Sequence, residues 1–156
     1  MPSMNFSREL TVSADPATCW TVLTDVPQLV EWVSIVDEAK EIALLEKYTA
    51  VLMDRLGPFK LRADLDIAVS EVDPGRRIRV RAAGEDRQVS SRIGIDATLT
   101  LEARAESSGG GTDVRIDGSY EVVGKVATLG SGMIKQKAAK ILDEFTIHAA
   151  AALGPA

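Results

Sequence analysis

The chain has 156 residues, 46% of them hydrophobic, which suits one domain with a packed core and excludes a disordered tail as its main content. Its formal net charge of −5 argues against nucleic acid as a partner, because phosphate binding needs a basic face. One cysteine, Cys19, forms no internal disulfide, residues 1–10 hold no signal-like apolar run, and no stretch nears the roughly 20 apolar residues of a membrane span, so a cytoplasmic place is expected.

The first predicted element is a strand over residues 5–13, with Phe6, Arg8, Leu10 and Val12 on one face. Asp15 then caps a helix whose first position is Pro16, where the missing N–H costs nothing. Trp20 and Leu23 give that helix an apolar side, and a second short helix is expected over residues 27–32, ending at Trp32. Residues 37–47 read DEAKEIALLEK, which has strong helical propensity in a context that wants strand. A short strand over residues 36–42 is the reading taken.

Alternation is clear beyond this point. Phe59, Leu61, Ala63, Leu65, Ile67 and Val69 share one face. So do Ile78, Val80 and Ala82, then Ile93, Ile95, Ala97, Leu99, Leu101 and Ala103, then Val114, Ile116, Gly118, Tyr120 and Val122. Period two over such lengths means half-buried antiparallel strands with one wet face. Turn signals separate the runs at residues 56–58, 73–75 and 107–111. A turn at residues 73–76 sets Val69 opposite Val80 and Ile67 opposite Ala82. One at residues 55–58 would set Leu52 opposite Leu61 and Tyr48 opposite Leu65.

The last predicted element is a helix over residues 126–152, about 40 Å long at 1.5 Å per residue. Ala127, Gly130, Ile134, Ala138, Ile141, Phe145, His148 and Ala152 form a stripe that should face the sheet. The expected architecture is α+β: about seven curved antiparallel strands wrapped around this helix, one domain over residues 1–156. Small residues on both walls, among them Ala97, Gly118 and Ala138, either let helix and sheet approach closely or leave room for a ligand.

Strand, two helices, strands and a long terminal helix is the order of the START/Bet v 1-like (SRPBCC) helix-grip superfamily. Within it the chain resembles the family of the carbon monoxide dehydrogenase G-subunit. The carrying residues are Val12-Ser13-Ala14 leading to Trp20-Thr21-Val22-Leu23-Thr24-Asp25, then Tyr48 and Gly57-Pro58-Phe59, Gly84-Glu85-Asp86 and Gly111-Thr112. Most specific is Gly124-Lys125-Val126-Ala127-Thr128-Leu129-Gly130 before the terminal helix. The chain departs from the family at Trp32-Val33-Ser34-Ile35, where relatives carry a Pro-Gly turn. The resemblance implies a non-catalytic accessory protein for a molybdenum-containing CO dehydrogenase-type enzyme, helping assemble it or carrying an apolar molecule such as a quinone or lipid. Many relatives extend into a hydrophobic C-terminal segment that reaches the membrane. A peripheral place at the inner membrane face therefore stays open, although Gly154-Pro155-Ala156 does not itself support membrane contact.

Trp32, Tyr48, Tyr120, Ile134, Ile141, Phe145 and His148 are the expected ligand-binding residues. All but Trp32 are inward by periodicity, and Trp32 would cap the cavity mouth. His148 is either a helix-end histidine satisfied by a carbonyl or water, or a polar anchor. Tyr48 and Tyr120 either pack their rings or orient a ligand carbonyl by their hydroxyls. Arg8 reads as a strand end reaching water, or as a ligand anchor. Cys19 reads as a structural thiol. One histidine and one cysteine cannot build an ordinary zinc site, and neither metal nor cofactor is expected. Arg77, Arg79 and Arg81 lie on the wet face, offset by Asp64 and Asp66, or else dock an acidic partner. Gly124, Gly130 and Gly132 are not in phosphate-loop order and suit a hinge. A cyclase or aromatase-type enzyme on the same fold and a solid-cored adaptor are the competing readings. Against the enzyme stands the lack of paired ionisable groups at inward positions.

Overall fold

The computed structural model describes residues 4–155. Strand β1 (Met4–Val12) ends where Asp15 caps helix α1 (Pro16–Leu23), its carboxylate accepting the Thr18 N–H at 2.8 Å. Helix α2 (Val26–Trp32) follows directly. Then come β2 (Val36–Ala43), β3 (Lys47–Leu56), β4 (Phe59–Asp73), β5 (Arg77–Asp86), β6 (Ser91–Ala103) and β7 (Thr112–Gly124). All pairings are antiparallel, in the order β1-β7-β6-β5-β4-β3-β2, so β1 and β2 form the two edges. Residues 37–47 resolve into a strand and a hairpin turn, despite their helical propensity. Pairing with β3 supplies the hydrogen bonds that an isolated helix would have had to nucleate for itself.

The β4–β5 register is as expected, Val69 against Val80 and Ile67 against Ala82. The β3–β4 register differs by two. Leu52 faces Ala63 and Tyr48 faces Ile67, because the two-residue turn moves one position along the chain to Gly57-Pro58 and Leu56 pairs with Phe59. Gly57 takes φ +57, which lets so tight a turn close. A shift of two keeps every side chain on its expected face.

The terminal helix starts later than its sequence pattern suggests. A 3₁₀ turn (Lys125–Leu129) precedes it, Gly130 breaks the chain at φ +90, and α3 runs Ser131–Leu153. The buried stripe follows Ile134 and continues to Ala149 and Leu153. Steps of four from Phe145 reach Ala149 and Leu153, so His148 and Ala152, one position short, are exposed. The C-terminal end of α3 is joined to β1 by backbone: the Ser13 N–H donates to Gly154 O (2.8 Å) and the Ala14 N–H to Leu153 O (3.0 Å). Its first half is tied to β3 by Lys137 Nζ to Asp54 Oδ2 at 3.0 Å. Arg8 on the concave face of β1 reaches Asp143 at 3.5 Å. No helix is long and apolar enough to cross a membrane among the described residues.

Gly118 is small for a reason other than cavity space. A Cβ there would overlap the Asp96 carbonyl oxygen on the neighbouring strand and crowd Ala97 Cα. The missing side chain serves close strand approach. On the outer face, Arg79 is bidentate with Asp96 (2.9 and 2.8 Å) and Arg81 adds 3.3 Å. Asp96 lies on β6, so Arg79 and Arg81 are balanced from that side, while Arg77 reaches Glu71 on β4 at 3.8 Å rather than Asp64 or Asp66.

Candidate functional site

The buried apolar residues form two clusters. One gathers Val12, Cys19, Leu23, Trp32, Leu101, Val114, Ala149 and Leu153 around the α3 C-terminus. The other gathers Ala50, Leu52, Leu61, Ala63, Leu65, Ala82 and Val126 at the β3–β4 side. A cavity of about 320 Å³ lies between them. Helices α1 and α2 give it Leu23, Thr24, Val26, Leu29 and Val33, and the β2–β3 side gives Val36, Ala39, Leu45, Tyr48 and Ala50. Ile67, Ile78, Val80, Ala97, Leu99 and Ile116 form its sheet wall, with Thr98 also touching it, and Phe145 descends from α3. That volume lies at the lower end of small-molecule sites. A larger groove of about 870 Å³ crosses the outer face among Arg62, Asp64, Asp66, Glu85, Arg87 and Arg92. Those charges are mixed in sign and solvated, so the groove lacks the apolar lining that favours ligand burial.

Polar groups in the cavity wall are few. Thr24 donates its hydroxyl to Trp20 O at 2.7 Å and is thereby satisfied. Tyr48, 6% exposed, accepts the Leu45 N–H at its hydroxyl at 2.8 Å. Leu45 sits in the left-handed region at φ +55, which a leucine adopts only when held there. The tyrosine thus braces the β2–β3 turn while its ring lines the cavity.

Of the seven residues picked from sequence, Tyr48 and Phe145 line this cavity. Trp32 stands behind Phe145, edge-on with ring centroids 5.8 Å apart, within the buried cluster rather than over a mouth. His148 is exposed and stacks on Trp32 at 6.3 Å. Ile134, Ile141 and Tyr120 lie outside the lining. Tyr120 tilts against Phe6 at 6.2 Å, and burial raises its phenol pKa. Arg8 is turned to Asp143. Cys19 is fully buried, its thiol pKa raised by that burial, as a structural thiol requires. The residues not picked for the site include Leu23, Thr24, Val26, Leu29 and Val33 from the helices and their ends, and Val36, Ala39, Leu45 and Ala50 from the β2–β3 side. The sheet wall was within reach, since all six of its residues sit on the predicted inward faces.

A family model, that of the carbon monoxide dehydrogenase G-subunit (CoxG), matches residues 9–154. The chain belongs to the CoxG family. No curated protein matches it by sequence. Among solved structures, this CoxG-family chain is similar to a conserved protein from Geobacillus kaustophilus, at TM-score 0.79 and 22% identity over 97% of this chain and 95% of that one. It is also similar to a START superfamily protein from Mycobacterium smegmatis (TM-score 0.66, 11% identity, 97% and 96% covered). Ara h 8.0201 superposes at TM-score 0.61 with 14% identity over 96% and 99%. Identities this low establish the START/Bet v 1-like helix-grip fold and nothing finer.

Proposed function

We propose that this CoxG-family protein is a non-catalytic carrier that holds a small apolar molecule, quinone- or lipid-like, in the cavity between sheet and helices. In this reading it serves a molybdenum CO dehydrogenase-type enzyme. The cavity carries the proposal: it sits between two well-packed clusters, where a solid-cored adaptor would have continued its packing. Family membership supports the accessory role and the choice of partner enzyme. The lining supports binding over catalysis, since no Asp, Glu, His, Lys or Arg is among its described residues.

The test is native mass spectrometry of freshly purified protein, followed by titration with a menaquinone analogue read through tryptophan emission. Trp32 touches Phe145 of the cavity wall, so an aromatic quinone bound there should quench it. A one-to-one apolar adduct, or saturable quenching, is the expected result. A bare mass together with no quenching up to the solubility limit would reject the carrier reading.

A further inference from the structure

Resting on the reading of the cavity as a ligand site, we propose that Tyr48 makes it selective for a neutral, carbonyl-bearing apolar molecule over a hydrocarbon or a carboxylate of the same shape. A phenol hydroxyl can donate one hydrogen bond while accepting others. The Tyr48 oxygen already accepts the Leu45 N–H at 2.8 Å, both residues line the cavity, and the phenol proton has no acceptor among the described residues. The other candidate hydroxyls are not available. Thr24 has given its proton to Trp20 O, and Thr98, although it touches the cavity, pairs with the outward Arg79 and also borders an outer-face groove with Arg77 and Asp117. One free donor in an otherwise apolar wall is the condition under which a site favours a ligand acceptor and discriminates against its hydrocarbon analogue.

The charge inventory excludes an anion. No lysine, arginine or histidine is among the described lining residues, and Arg8, on the concave face of β1, is turned to Asp143 at 3.5 Å. A carboxylate would be buried without a counter-charge, whereas a ketone, ester or quinone carbonyl needs only the one donor present. Accepting the Tyr48 proton would also polarise the phenol oxygen and strengthen its bond to the Leu45 amide. The left-handed Leu45 and the β2–β3 register shift between Glu41 and Ala43 place that amide at an irregular edge turn. The Leu45 N–H is therefore a direct reporter of ligand chemistry.

Three near-isosteric probes separate the possibilities: 2-acetylnaphthalene (ketone), 2-isopropenylnaphthalene (alkene) and 2-naphthoate (anion). Each is titrated calorimetrically at pH 7 into the full chain and into its Tyr48→Phe variant. Wild type should bind the ketone about three- to tenfold tighter than the alkene, the span expected for one net hydrogen bond. The naphthoate should bind weakest. In Tyr48→Phe the order should invert, with alkene affinity held within about twofold and the ketone left with an unpaired carbonyl. Equal ketone and alkene affinity in wild type, or a ketone preference that survives in the variant, would overturn the role of Tyr48 while leaving the carrier reading intact. Binding of none of the three to wild type would overturn both. Should the variant bind neither neutral probe, the wild-type Leu45 amide proton decides. A downfield shift with ketone and none with alkene supports the proposal, and equal shifts overturn it.

Discussion

Single residues in this protein are held by their neighbours' backbone more than by charge. Gly118 has no room for a Cβ, because the Asp96 carbonyl oxygen occupies that space. Gly118→Ala should therefore cost more than about 3 kcal/mol, among the large single-residue effects, and chemical denaturation would measure it. Asp96 offers a second test. Its hydrogen bonds to Arg79, helped by the charges of Arg79 and Arg81, hold its carboxyl pKa below the ordinary value of 3.8. Across that window the unfolded chain binds more protons than the folded one, so stability rises with pH. The contribution is complete above the ordinary carboxylate value and is lost as pH falls through the lowered one. Asp96→Asn should flatten the acid limb of a melting-temperature profile below about pH 4 and leave its slope at neutral pH unchanged. At this scale the sequence was legible wherever alternation ruled, as at Tyr48 and the inward sheet residues. It fell short at Gly118, where a small residue read as close helix–sheet approach or ligand space, because one chain's pattern does not show how near the next strand's carbonyl will lie.

At the scale of elements, α3 is fastened unequally. Its C-terminal end shares backbone hydrogen bonds with residues 13 and 14, whereas its first half relies on side chains, Lys137–Asp54 among them. Ser34 adds a tie at mid-helix, its hydroxyl reaching Glu144 Oε1 at 3.0 Å. Asp54→Ala should speed amide hydrogen exchange in residues 134–140 while leaving residues 149–153 protected. Global stability should change by less than about 1 kcal/mol, since the pair is only partly buried. Uniform acceleration along α3 would mean that the helix moves as one body. The helix itself was legible from its apolar stripe, but its start was not. Residues 125–129 carry helical composition, yet the positive φ of Gly130 interrupts them, a backbone choice that composition leaves open. The stripe's final turn also strayed to His148, because steps of three and steps of four are equally good patterns until packing selects Ala149. The β2–β3 hairpin was obscured by its helix-forming residues, which hid Leu45 and half of the Tyr48 site.

The whole molecule is a sheet with one cluster packed against the C-terminal end of α3, another packed under the 3₁₀ turn that precedes it, and a gap between. That the inward faces were mostly apolar could be read from sequence. That they form two clusters instead of one depends on sheet curvature and on the seating of α1 and α2, neither of which has a local signal. The gap is the central claim, and Ala97 on β6 projects into it. Ala97→Leu adds three carbon atoms at that wall. The direct measurement is the melting temperature of this variant beside wild type. A real cavity accepts the added volume, so the melting temperature should hold or rise, since each newly buried methylene contributes about 0.8 kcal/mol. A solid core would be overpacked by about 1–3 kcal/mol, which at roughly 2–4 °C per kcal/mol lowers the midpoint by about 2–12 °C. A fall of that size would contradict the account.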